Sequence, residues 1–238
     1  MNSHCDRACQ RCLDNLCTHK IPVFSTLPYE ALESIARRII HQDVPAGAVF
    51  IEAGVKNDRL TIISEGQAKA CRYTADGREQ ILYIYSEGDF LGERDLILAQ
   101  ESPYQVEALT DVKLCQLTAE SFHQFIQEHA EISMQIIHSL SRRLSRLEQM
   151  IQNMGQRSIE ARISTALLDF AEQYGVQQKE GIYVRLPLSR EGLASYIGIT
   201  RETVSRKLSQ LETENIIQSI GHKMILIRNQ QALKEFSD

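Results

Sequence analysis

The chain has no tryptophan, and that absence decides nothing. Other absences decide more. The longest apolar runs, such as Ile81 to Tyr85, fall far short of the roughly 20 residues a membrane helix needs. The opening stretch MNSHCDRACQRCL has no apolar core of a signal peptide. The protein is therefore expected to be cytoplasmic, with no membrane partner. No Ser/His/Asp set, P-loop or glycine-rich dinucleotide fingerprint occurs, so no enzyme is expected. Basic residues are not in excess: 26 Lys and Arg stand against 31 Asp and Glu, a net charge of −5. What is present is ordinary globular composition, 43% hydrophobic and 24% charged, which excludes disorder, collagen and low complexity. A length of 238 residues leaves one large domain or two small ones open.

The average charge hides an asymmetry. Residues 1–154 carry 15 basic and 21 acidic side chains, whereas residues 155–238 carry 11 and 10. Between Arg185 and Lys207 the basic residues are Arg185, Arg190, Arg201, Arg206 and Lys207, and the acids only Glu191 and Glu202. A mildly basic C-terminal third on an acidic body is compatible with contact to DNA.

Four segments separate by pattern. Residues 1–20 hold four of the six cysteines. Residues 21–118 read as short strands (Val49–Glu52, Leu60–Ser64, Ala68–Tyr73, Gln80–Tyr85, Gln105–Leu109, Val112–Leu117) punctuated by glycines. That rhythm predicts a jelly-roll-like β-barrel, preceded by a helix over Tyr29–Ile40. Residues 119–154 read as one long helix. Its apolar positions Ile137, Leu140, Leu144, Leu147, Ile151 and Met154 alternate in steps of three and four. A period of 3.5 specifies a coiled-coil seam, hence a homodimer. Arg142, Arg143 and Arg146 read as its polar face, and Gly155 as the break before the last domain. Residues 155–238 read as short helices with a few strands.

Within that last segment Ser189 is suited to cap a helix over Arg190–Ile197. Gly198 suits a tight turn, and Thr200 caps a second helix over Arg201–Asn215. Leu193, Ala194, Ile197, Ile199, Val204, Leu208 and Leu211 supply the inner packing. This is a helix-turn-helix, with Ile225–Arg228 as a wing strand. Its second helix presents Arg201, Glu202, Ser205 and Arg206 near the end that enters the major groove. Arg can bond guanine O6 and N7, Glu accepts from cytosine N4, and Ser is adaptable. Double-stranded DNA is the expected partner. A small-molecule-binding module without a DNA role is the reading from another class, and the helix-turn-helix opposes it.

Cys5, Cys9, Cys12 and Cys17 crowd into 13 residues, with Cys71 and Cys115 far downstream. A disulfide framework is unsuited to a reducing cytosol. Thiolates at such spacing serve zinc or iron–sulfur chemistry, and a single C-x-x-C gives no second pair for a zinc ribbon.

The order of barrel, long helix and the helix ITRETVSRKL resembles the CRP/FNR family of bacterial transcription regulators over essentially the whole chain. The resemblance implies an α+β chain: a cyclic-nucleotide-binding-like jelly roll, a dimerisation helix and a C-terminal winged helix-turn-helix. It implies RNA polymerase as a partner. It implies that Glu202 and Arg206 read the TGA core of each half-site, with Ser205 as in the TTGAT-reading FNR branch. Arg201 is instead typical of the cAMP-receptor branch, so the outermost bases stay open. Gly92 and Glu93 match half of the family's cyclic-nucleotide cassette, but Ser102 stands where the phosphate-binding Arg belongs; no cyclic nucleotide is expected. In the FNR branch three N-terminal cysteines and one on a late barrel strand hold a four-iron, four-sulfur (4Fe-4S) cluster. The matching ligands are Cys9, Cys12, Cys17 and Cys115, and Cys71 is a plain barrel residue. The gap from Cys12 to Cys17 is one residue shorter than that branch's, which makes Cys5 a candidate substitute. The implied role is sensing of oxygen or a related oxidant. A thiol–disulfide switch at Cys9 and Cys12, zinc, haem or another effector are the alternatives. Leu147 stands where that branch carries an aspartate at the seam, so the dimer is expected to survive loss of the cluster.

Overall fold

The computed structural model describes Phe24 and residues 27–156 and 158–236. The chain divides into two compact units, one running up to Arg72 and over Leu82–Arg143, the other holding Tyr73–Ile81 and Leu144–Asp238. Cys5, Cys9, Cys12 and Cys17 lie outside the described residues.

The N-terminal half carries eight strands: β1 (Ile40–Val44), β2 (Val49–Ile51), β3 (Arg59–Glu65), β4 (Ala68–Tyr73), β5 (Glu79–Tyr85), β6 (Phe90–Leu91), β7 (Gln105–Ala108) and β8 (Val112–Thr118). They form two four-stranded sheets, ordered β1-β8-β3-β6 and β2-β7-β4-β5. This is the expected jelly roll. β8 lies between β1 and β3 and pairs antiparallel with both, and five of its seven residues are buried. One core cluster joins Ile62, Cys115 and Leu117 of the first sheet to Leu32 and Ile35 of helix α1 (Tyr29–Ala36), and takes in Phe24 and Leu27. The other, around Ile63, Val106 and Leu114, includes Ala68, Ala70 and Tyr85. A short helix α2 (Glu93–Leu98) follows β6.

Two helix expectations need correction. The helix expected over Tyr29–Ile40 ends at Ala36, because Ile40–Val44 pair with Val112–Gln116 as strand β1. The single helix expected over 119–154 is two, α3 (Ala119–Glu128) and α4 (Ala130–Gln156). His129 breaks the run with φ −134° and ψ 82°. Gly155 does not end the helix, which continues to Gln156, and the division into units falls at Arg143/Leu144 rather than at Gly155.

α4 has two apolar faces. Ile132 and Ile136 are buried and Leu140 half-buried, all against the barrel's first core cluster. Met134, Ile137 and Leu144 are more than half exposed. Leu140 packs in part against its own barrel, while Ile137 and Leu144, three residues before it and four after, lie open on the same side of the helix. Leu147 is half-buried, and the side chains of Ile151 and Met154 lie outside the described residues.

The second unit begins with α5 (Ile159–Tyr174), capped by Ser158. β9 (Gly175–Gln178), β10 (Gly181–Arg185), β11 (Ile217–Ile220) and β12 (Met224–Ile227) form a sheet ordered β11-β12-β10-β9. α6 (Arg190–Ile197), α7 (Arg201–Thr213) and α8 (Gln230–Glu235) complete it. Among the described residues no helix is long and apolar enough to cross a membrane.

Candidate nucleic-acid interface and sensor sites

Local chemistry sets the turn between α6 and α7. The Ser189 side chain accepts from Gly192 N–H at 3.2 Å and starts α6. α6 stops at Gly198, which takes the left-handed conformation (φ 79°, ψ 41°) while its N–H bonds Ala194 O. A side chain there would cost roughly 1–2 kcal/mol. Thr200 then caps α7, accepting from Thr203 N–H at 3.3 Å. Leu193, Ala194, Ile197, Val204, Leu208 and Leu211 are buried, and Ile199 half-buried. With that face committed, Arg201, Glu202, Ser205 and Arg206 all stand exposed on the first two turns of α7, as expected. Helix N-terminus, charge and exposure suit this face to a DNA groove.

Not every basic residue of the segment is available to DNA. Lys207 donates to Glu160 of α5 and to Gln210, and so ties α7 to its own domain. Arg190 donates through Nη2 to Ser219 Oγ of the wing at 2.7 Å. Burial lowers its pKa, opposed by Glu212. Both read from sequence as part of a basic surface, and both brace the motif instead. The wing is the hairpin β11–β12, whose connecting residues include His222 and Lys223.

The barrel holds a buried polar cluster that sequence reading only half found. Gly92 sits at φ 91° before α2, where an added Cβ would come within 2.5 Å of Arg59 O. That turn sends the Glu93 side chain inward, where the residue is 2% exposed. Arg143 of α4 meets it: Nη1 donates to Glu93 Oε1 at 2.5 Å and Nη2 donates to the Phe90 carbonyl. Its guanidinium lies 5.3 Å from the Tyr85 ring centre and 5.0 Å from that of Phe90. Burial raises the Glu93 carboxyl above its usual range, and Arg143 pulls it only partly back. Burial also pushes up the hydroxyls of Tyr85 and Tyr104, which share a 3.4 Å hydrogen bond. Glu93 Oε2 is buried and has no hydrogen-bond partner. Arg143 is therefore no part of a solvated helix face, which corrects the sequence expectation. No local sequence signal pointed to this contact, since its partners lie 50 residues apart. Ser102, 1% exposed, donates its hydroxyl to Tyr104 O at 2.8 Å and brings no positive charge.

Cys115 is 1% exposed on β8. Its Sγ lies 3.6 Å from Nδ1 of His41, directly across on β1. Cys71 is fully buried on β4. Among the described residues no group of three or more His, Cys, Asp or Glu is placed to hold a metal ion.

A jelly roll followed by a helix pair and a winged helix-turn-helix with an open recognition face defines a DNA-binding transcription regulator. Comparison with known proteins agrees. Residues 41–129 match the cyclic nucleotide-binding domain and residues 161–236 the Crp-like helix-turn-helix domain. The chain is 30% identical over 221 residues to the probable transcriptional regulator flp of Lacticaseibacillus casei, covering 93% of this chain and 98% of that one. It is 27% identical over 211 residues to a CRP-like cAMP-activated global transcriptional regulator of Mycobacterium tuberculosis, covering 89% and 94%. The structure of FixK2 from Bradyrhizobium japonicum shares the fold with a TM-score of 0.76 at 23% identity, covering 84% of this chain and 98% of that one. The chain belongs to the CRP/FNR family of transcription regulators, proteins that bind DNA and act as dimers. The match to a cyclic nucleotide-binding domain and the cAMP-activated relative lend no support to the expected lack of a cyclic nucleotide, which rests on Ser102 and on the lack of any Arg between Arg94 and Arg142.

Proposed function

We propose that this regulator senses oxygen or a related oxidant through a 4Fe-4S cluster held by Cys9, Cys12, Cys17 and Cys115, Cys5 being the substitute if one of the N-terminal three is not a ligand. The observation that carries the reading is the position of Cys115. Its sulfur is a soft donor suited to iron, and it lies in the same core cluster as Phe24 and Leu27. Phe24 lies seven positions after Cys17, an extended reach of at most about 25 Å. An anchor at Phe24 therefore allows Cys17 to be brought to β8. When bound, the cluster would supply an oxidant-labile link between the N-terminal segment and the barrel, and Cys115 would anchor that link in a strand hydrogen-bonded on both sides.

On the DNA side, Glu202 and Arg206 are assigned to the TGA core of TTGAT-like half-sites, with Ser205 and Arg201 flanking, and RNA polymerase as the partner at the promoter. The four side chains share the exposed N-terminal turns of α7.

Anaerobic purification with iron, sulfide and zinc analysis tests the sensor reading. The expected protein is brown, carries about four irons per chain and bleaches in air. Cys115→Ala should lose the iron and Cys71→Ala should keep it. Cys5→Ala decides whether Cys5 is a ligand. Colourless anaerobic protein with stoichiometric zinc, or with only a Cys9–Cys12 disulfide cycle, would overturn the reading.

A further inference from the structure

The environment of Cys115 raises a chemical problem. The side chain sits in a core cluster with Phe24, Leu32, Ile62 and Leu117, and apolar surroundings disfavour a thiolate. A ligand sulfur also carries negative charge that a buried site must meet with a hydrogen-bond donor. The β1–β8 register puts His41 directly opposite Cys115, and Nδ1 lies 3.6 Å from Sγ, within range for a hydrogen bond to sulfur. Cross-strand partners on one face of a sheet are close neighbours, and the pairing of Ile40 with Gln116 and of Gln42 with Leu114 fixes this register on either side.

We infer that His41 is a positioning residue for the Cys115 ligand: its ring donates Nδ1–H to the Cys115 sulfur and sets how readily the bound cluster is oxidised. The inference rests on the cluster reading given above. A hydrogen bond to a ligand sulfur withdraws electron density from the iron and raises the reduction potential. It also holds the sulfur in one orientation, as partners behind metal ligands commonly do. The consequence is a cluster that tolerates low oxygen better than one with a bare thiolate at that corner. The histidine is built into β1 and does not depend on the N-terminal segment, so it presents a prepared sulfur before any iron arrives.

The test compares wild type with His41→Leu, which removes the donor, and His41→Asn, whose amide N–H can replace it. Each full-length protein is loaded anaerobically and assayed for iron and sulfide, for midpoint potential by spectroelectrochemical titration, and for the rate of bleaching by dissolved oxygen. All three are expected to load similarly. His41→Leu should shift the one-electron equilibrium toward the oxidised form about tenfold, a fall of about 59 mV, and bleach several-fold faster. His41→Asn should return most of both values. If His41→Leu loses its circular dichroism, His41→Phe provides a second donor-free ring and is read in the same way. A loaded donor-free variant with wild-type potential and bleaching rate overturns the role of His41 and leaves the cluster reading standing. Wild-type protein that takes up no iron overturns both.

Discussion

Arg143→Met removes the guanidinium that reaches into the barrel and leaves a methionine stem of similar reach. The Glu93 side chain, 3% exposed, then loses its ion-pair partner, and the Phe90 carbonyl loses a donor. Breaking a buried pair from one side costs about 3–5 kcal/mol. An independent limit comes from the proton. A stranded Glu93 can take one up, and from a glutamate's ordinary value of 4.5 to pH 7 that costs at most about 3.4 kcal/mol at 1.36 per unit. Lost cation–π contact with Tyr85 and Phe90 adds about 1 kcal/mol. The penalty is therefore about 4 kcal/mol, and at most about 4.5, at pH 7 and about 1–2 at pH 5, where protonation is nearly free. Urea unfolding followed by tyrosine fluorescence at the two pH values measures it. The double variant Glu93→Gln with Arg143→Met should recover much of the loss at pH 7. A penalty equal at both pH values, or no coupling in the double-mutant cycle, would refute the ion-pair argument.

Three further outcomes follow from the same geometry. Because burial raises Glu93 in the folded state above its unfolded 4.5, the folded protein binds the extra proton. Wild type should gain stability relative to Glu93→Gln as pH falls from 7 through the raised value, and the gain should level off below 4.5, as a pH series of unfolding curves would show. Arg206→Ala should cost about 1–3 kcal/mol in DNA affinity and relax the choice of base at one guanine, readable by binding to a set of single-base variants of the half-site. Leu147→Asp should convert a dimer that persists without the cluster into a monomer, since apolar burial worth roughly 1.5–3 kcal/mol per leucine is replaced by paired acids. Sedimentation of cluster-free wild type as a clean monomer would contradict that seam.

The helix-turn-helix was legible because its causes are local. Ser189, Gly198 and Thr200 act on backbone groups within four residues, and α6 begins and ends where the caps said it would. The barrel was legible as a rhythm of strands, but not at its first strand. Ile40–Val44, whose first residue reads as the end of a helix, shows no alternation of burial of its own, and its extended form is set by pairing with β8. The break at His129 carries neither glycine nor proline and owes its position to packing, with the His129 ring 4.6 Å from that of Phe125. Arg143 and His41 were invisible for one reason: each takes its meaning from a residue at least 50 positions away, Glu93 in one case and Cys115 in the other.

Arg143 is keyed into the barrel through an ion pair, a carbonyl and two rings, while Met134 and Ile137, earlier on the same helix, lie open. This stretch of α4 is thus a shaft whose angular setting is fixed by a key. Turning the Met134 and Ile137 stripe to a new bearing means withdrawing Arg143 first, so the barrel sets the direction in which these apolar side chains face outward.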